Sequence, residues 1–180
     1  MGNSKSERVA SPLIRAFRAA HQERDANRPL DVRVGGERII SSRLLSARTP
    51  ISENELRKLV NSDLLALLNT TSLASAEDLS DAPEVRKSIL NFGLPDLGSR
   101  SIDAHGVAEI AHEIETSLAI FEPRLTRGSI KARRDDSVGA EELRVRFLVS
   151  AELRIQPVNA PVEFAAEVEL DSGNVRIERL

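Results

Sequence analysis

The chain has no cysteine, no tryptophan and no tyrosine among its 180 residues, and only five phenylalanines. Without cysteine there are no disulfides and no thiolate chemistry, which fits a reducing compartment. Scarce aromatic rings argue against a surface built by stacking, such as many carbohydrate or single-stranded nucleic-acid sites. No apolar run approaches the ~18 residues of a membrane span, and the N-terminus lacks the apolar region of a signal peptide. A Gly-rich phosphate loop, a G-x-S-x-G elbow and a nucleophile beside an evident base are also missing. Nothing marks one carboxylate of a pair as desolvated, as glycoside hydrolysis requires. These gaps point away from an enzyme and from a cofactor.

Charge is present but uneven. Residues 1–50 carry ten Lys/Arg and five Asp/Glu, a net of +5, while residues 51–180 carry 15 and 23, a net of −8. Nine of the ten early cations are arginine. Residues 1–50 therefore read as a basic arm, either solvated or docked on an acidic partner. The acidic remainder disfavours nucleic acid. Within the arm, "SPLIRAFRAA" (11–20) predicts a short helix with Ser11 as N-cap and Pro12 at its first position. "VRVGG" (32–36) suggests one short strand.

Residues 51–180 read as one domain, with helices over 51–121 and a sheet over 125–180. "ISENELRKLVNSDLLALLNT" (51–70) predicts a helix. Ser52 and Glu55 have capping-box spacing, and Leu56, Leu59, Val60, Leu64, Leu67 and Leu68 form one apolar stripe. A short helical turn is expected around 84–90. A second long helix is expected over 103–121, capped by Asp103 and ended by Pro123. His105, Glu109 and His112 share one face of it, at a spacing zinc sites use, but that face lies opposite Val107, Ile110 and Ile114 and reads as solvated.

Beyond residue 125 the apolar period falls from 3.6 to 2. Leu143–Ile155 and Val162–Leu170 alternate apolar and polar residues, "QPVNAP" joins them, and "DSGN" leads into "VRIERL". Pairing Ile155 with Val162 would set Leu153 against Phe164 and Arg154 against Glu163. Pairing Val175 with Leu170 would set Arg176 against Glu169. An earlier strand is expected over about 126–134. The fold class is thus α+β: two long helices packed on an antiparallel meander of about four strands. Either outer strand could accept a strand from another chain, and a proline at Arg176 or Glu178 is expected to remove an edge donor.

Two segments are candidate contact sites. In "KSILNFGLPDL" (87–97), Asn91, Gly93 and Pro95 interrupt an apolar run, so neither helix nor central strand suits it. Ile89, Leu90, Phe92 and Leu94 could plug the interior or present an apolar knob. In "FEPRL" (121–125), Pro123 locks a corner where Glu122 and Arg124 point the same way. They either pair within the chain or present fixed charges to a neighbour.

Taken in order, "DLLALLNT" (63–70), "SILNFGLPDL" (88–97) and "FEPRL" (121–125) make the chain resemble TssE, the wedge subunit of type VI secretion baseplates, related to the lysozyme-like wedge proteins of contractile phage tails. "SPLIRAF" is similar to that family's opening short helix. Asn61 and Thr71 stand where cations are common in the family, and Phe92 where tyrosine is frequent. The resemblance implies a non-enzymatic subunit that joins other baseplate wedge subunits and helps the contractile sheath begin to polymerise. It implies a cytoplasmic baseplate docked to an inner-membrane complex, with no direct membrane insertion and no small-molecule substrate. It also makes Glu122, Pro123, Arg124, Asn91, Phe92, Gly93 and Leu94 the expected partner-binding residues. The alternatives are a wedge protein of a phage tail or phage-derived particle and, less favoured, a peptidoglycan-cleaving lysozyme.

Overall fold

The computed structural model describes residues 8–9, 11–22, 24, 32–34, 37–39, 49–98, 103–137, 144–155 and 159–179. The chain divides into two compact units, residues 1–61 and 62–180. Along the sequence run β1 (Arg8–Val9), α1 (Leu13–Gln22), β2 (Val32–Val34), β3 (Glu37–Ile39), β4 (Ile51–Ser52) and α2 (Glu53–Leu68). They are followed by α3 (Pro83–Arg86), α4 (Ala104–Phe121), β5 (Lys131–Arg134), β6 (Arg144–Leu153), β7 (Ala160–Glu169) and β8 (Val175–Arg179).

In the first unit β1 pairs antiparallel with β4, setting Val9 against Ile51. β2 and β3 form a small antiparallel pair, so the short strand expected near residue 32 has a partner. Helix α1 starts at Leu13, later than Ser11 capping requires. The Ser11 hydroxyl is buried and makes no hydrogen bond among the described residues. The capping box forms as read: the Ser52 amide donates to Glu55 Oε2 (3.0 Å) and the Glu55 amide donates to Ser52 Oγ (3.3 Å). Residues 51 and 52 are strand, so α2 begins at Glu53 rather than at 51. α2 runs from the first unit into the second, and its stripe is buried at Leu56, Val60, Leu64, Leu67 and Leu68, with Leu59 half-buried.

In the second unit α4 is capped by Asp103, whose Oδ1 accepts the Gly106 amide at 2.8 Å. Its buried stripe includes Ile110, Ile114 and Leu118, none of which retains solvent exposure. β5–β6–β7–β8 form a four-stranded antiparallel sheet in sequence order. Val145, Phe147, Val149, Leu153, Phe164, Ala166 and Val168 on its apolar face are all buried. Each buried Val, Leu or Phe side chain among them contributes roughly 1.5–3 kcal/mol.

The alternation fixed the faces but not the pairing. β6 and β7 pair Leu153 with Ala160, Val149 with Phe164 and Arg144 with Glu169, four residues away from the expected register. β7 and β8 pair Val168 with Val175 and Glu167 with Arg176, two residues away. Slips by an even number keep every apolar residue on its face, so period-2 patterning cannot reject them. Charge selects among them. The observed register sets Arg144 opposite Glu169 and Arg146 opposite Glu167, two attractive pairs where the expected one gave Arg154–Glu163 alone.

β5 is also shorter than expected. Residues 127–129 form a single 3-10 turn, and Ser129 Oγ accepts the Glu152 amide (2.8 Å) that a longer strand would have used. Between β7 and β8, Gly173 takes φ +69°, and its amide donates to the Glu169 carbonyl at 2.7 Å. The expected connections at 138–143 and 156–158 lie outside the described residues. No helix among the described residues is long and apolar enough to cross a membrane.

Candidate functional site

The interrupted segment 87–97 has a tip and an anchored base. The tip is a 3-10 turn, Ile89–Asn91, whose first apolar residues face solvent: Ile89 is 81% and Leu90 69% exposed. Asn91 closes it with its carboxamide. Oδ1 accepts the Ala74 amide (2.8 Å) and Nδ2 donates to the Arg86 carbonyl (3.0 Å). Phe92 is half-buried and meets Phe121 edge-on, with ring centroids 5.5 Å apart. Leu94 is buried; its amide donates to the Thr70 carbonyl (2.8 Å) and its carbonyl accepts the Ser72 amide (2.7 Å). Gly93, between them, has φ +130°, and a Cβ there would lie 2.2 Å from the Thr70 carbonyl oxygen. Only glycine satisfies both the angle and the close approach. Leu94 and Leu97 fill the interior, while Ile89 and Leu90 stand exposed. A groove of about 510 Å³ beside the tip is lined by Thr70, Thr71, Leu73, Ile89, Leu90 and Phe92.

The corner after α4 is an internal ion cluster. Glu122 is 4% exposed and ion-pairs with Arg124, whose Nε donates to Glu122 Oε1 (2.6 Å) and whose Nη2 donates to Glu122 Oε2. The same Nη2 donates to Asp63 Oδ2 (2.6 Å) on α2. Burial of the guanidinium opposes its charge, but Glu122 and Asp63 outweigh that and raise its pKa above the ordinary value. The Arg124 carbonyl accepts the Arg154 amide (2.8 Å), and Leu125 bridges to Leu153, so the corner is sewn to the end of β6. Pro123 is exposed, while Arg124 keeps 21% side-chain exposure.

The two outer strands are guarded differently. On β5 the outward Ala132 amide donates to Glu115 Oε1 of α4 (2.8 Å). On β8 the direction of each group follows from one bond: the Glu169 amide donates to the Asn174 carbonyl. That makes Val168–Val175 a pair without mutual hydrogen bonds, so alternation turns Val175, Ile177 and Arg179 outward and Arg176 and Glu178 toward β7. A proline at Arg176 or Glu178 would thus break the β7–β8 ladder, not the free edge. The face parity read from sequence could not reveal this, because hydrogen-bond direction depends on register.

On α4, His105 Nδ1 lies 3.5 Å from Glu109 Oε1 with both side chains exposed, and His112 is exposed as well.

Sequence reading did not reach three side chains that tie distant elements together. Asp63 joins Arg124 from 61 positions away, Asn69 reaches β8, and Glu115 caps β5. Asp63 and Asn69 lie in "DLLALLNT", one of the recognised stretches, yet nothing local shows where their side chains end.

No curated protein sequence matches the chain. A family profile described as baseplate wedge protein gp25 matches residues 54–158, which include the α2 stripe, the anchored loop, the ion-clustered corner and β5–β6. This span is more than half of the chain, and the chain belongs to the baseplate wedge protein gp25 family.

Proposed function

We propose that the chain is a structural subunit of a type VI secretion baseplate, joining wedge partners and starting sheath polymerisation from the β8 edge. The observation that carries this reading is the outward backbone of Ile177, whose N–H and C=O have no hydrogen-bond partner among the described residues. An extended segment of a sheath subunit can add there as a further strand. Two further contact areas support a linking role: the Ile89–Leu90 tip above its Asn91–Phe92–Gly93–Leu94 base, and the exposed Pro123 with the rim of Arg124 beside buried Glu122. In this reading the subunit works by holding partners in the cytoplasm, with residues 1–50 as a basic arm beside a domain over 51–180. The carboxylate buried among the described residues, Glu122, has both oxygens on Arg124, which suits a structural pair better than a general acid.

The test is seeded assembly. Sheath subunits encoded beside this gene are mixed with the purified chain and wedge partners and followed by electron microscopy. The expected result is sheath tubes that start from particles containing the chain. Tubes of equal number and length without it would refute the reading. A second reading, a wedge protein of a contractile phage tail, fits the matched family equally; the neighbouring genes distinguish the two.

A further inference from the structure

Asn69 follows the last residue of α2, and its side chain behaves as a piece of strand. Its Oδ1 accepts the Val175 amide (2.9 Å), and its Nδ2 donates to the Val175 carbonyl (2.8 Å). Nδ2 also donates to the Leu65 carbonyl (3.0 Å), which fixes the carboxamide to the last turn of α2. A planar amide with one acceptor and two donors is the side-chain group that reproduces both halves of a backbone ladder contact. The first outward position of β8 is therefore already filled, and the next, Ile177, is not.

We propose that Asn69 is a register stop: an extended segment of a sheath subunit docking on β8 pairs with Ile177 and is halted before Val175. The inference rests on the strand-docking reading above. Edges are usually guarded by projecting charge. On β8 those charges are turned across the sheet instead. Arg176 lies 3.0 Å from Glu169, and Glu178 lies 3.3 Å from Arg146. Among the described residues, the Arg176 and Glu178 charges do not guard the edge beyond Val175, and Asn69 supplies a fixed boundary there. Without such a boundary, strand pairing slips by two residues at no cost to the faces, which is the ambiguity the alternating sequence itself displays.

The chain lacks cysteine, so single cysteines report register without background. Glu178→Cys is combined with a walk of cysteines along the extended terminal segment of the sheath subunit, and disulfide products are mapped. One sheath position is expected to dominate its neighbours two residues away by about tenfold. In the Asn69→Ala background a second product, shifted by two residues toward Val175, is expected. In parallel, hydrogen exchange at the Val175 amide of the chain alone is expected to accelerate at least about tenfold in Asn69→Ala. Asn69→Asp keeps the acceptor for that amide but loses the donor to the carbonyl, and serves as the second variant if alanine weakens the end of α2. It should give an intermediate pattern. A single unchanged register despite a freed Val175 amide overturns the register stop while leaving strand docking intact. Unchanged Val175 exchange in both variants overturns the stop as well. Absence of cross-links at every sheath position, with the wild-type Asn69 or without it, overturns strand docking and the stop together.

Discussion

Replacing Arg124 with alanine should cost far more than loss of a surface ion pair. An exposed pair is worth at most about 1 kcal/mol. Here Glu122 is 4% exposed and would be left buried without its cation, keeping only the backbone amide of residue 124, which donates to Oε1 at 3.1 Å. Breaking a buried pair by removing one partner costs about 3–5 kcal/mol. Arg124 and Asp63 keep 21% and 20% side-chain exposure, so solvent screens the Asp63 arm, and the lower end, about 3 kcal/mol, is the expected value. For a chain of this length ~1 kcal/mol shifts Tm by about 2–4 °C, giving a fall of roughly 6–12 °C. The assay is thermal melting of four proteins: wild type, Arg124→Ala, Glu122→Gln and the double variant. The double variant, which removes the stranded charge, should be more stable than Arg124→Ala alone. Because the guanidinium pKa is raised, its contribution holds below the ordinary arginine value and is lost only in strong alkali, so the deficit should be flat across neutral pH. A Tm within about 2 °C of wild type, or strictly additive losses, would refute the buried-cluster account. Loss of wedge partners by Arg124→Ala can be assigned to an interface only at temperatures where the variant remains folded.

The remaining predictions concern the loop and the start of α2. Gly93→Ala should disrupt the loop by at least about 3 kcal/mol, seen as lost amide protection at Leu94 and Ser72, because the new Cβ meets the Thr70 backbone. Ile89→Ser with Leu90→Ser should leave folding stability within about 0.5 kcal/mol of wild type while reducing co-purification of wedge partners; retained co-purification would remove the tip from the interface. Hydrogen bonds from the Ser52 amide and hydroxyl lower the pKa of Glu55 below its ordinary 4.5. The capping contribution is therefore present above pH 4.5 and lost as pH falls below it, and exchange of the Ser52 amide should quicken over that window.

The sequence displayed those parts of the fold that depend on neighbours in the chain. The Ser52–Glu55 cap, the Asp103 cap, the two helical stripes and the two faces of the sheet all follow from spacing of a few residues. What it concealed depends on distance. Strand register remained open because slips of two or four residues preserve the alternation, and opposed charges such as Arg144 and Glu169 decided it. The corner was legible as a rigid Glu-Pro-Arg element, but its burial was not, since that depends on Asp63 arriving from α2. In the loop, Gly93 and Pro95 announced an irregular path; the division between a buried Leu94 and an exposed Leu90 required knowing that Thr70 lies beneath.

The way that loop is fastened has a consequence for variation. Asn91 is held by Ala74 and Arg86, Phe92 rests on Phe121, and Leu94 is tied to Thr70 and Ser72, whereas Ile89 and Leu90 carry no such ties in their side chains. None of these fastenings uses the side chain of residue 89 or 90, so the identity of those two residues can change without reopening the base. Such a loop is an exchangeable address label: related machines could swap two side chains to choose a different neighbour while the subunit that bears them keeps one architecture.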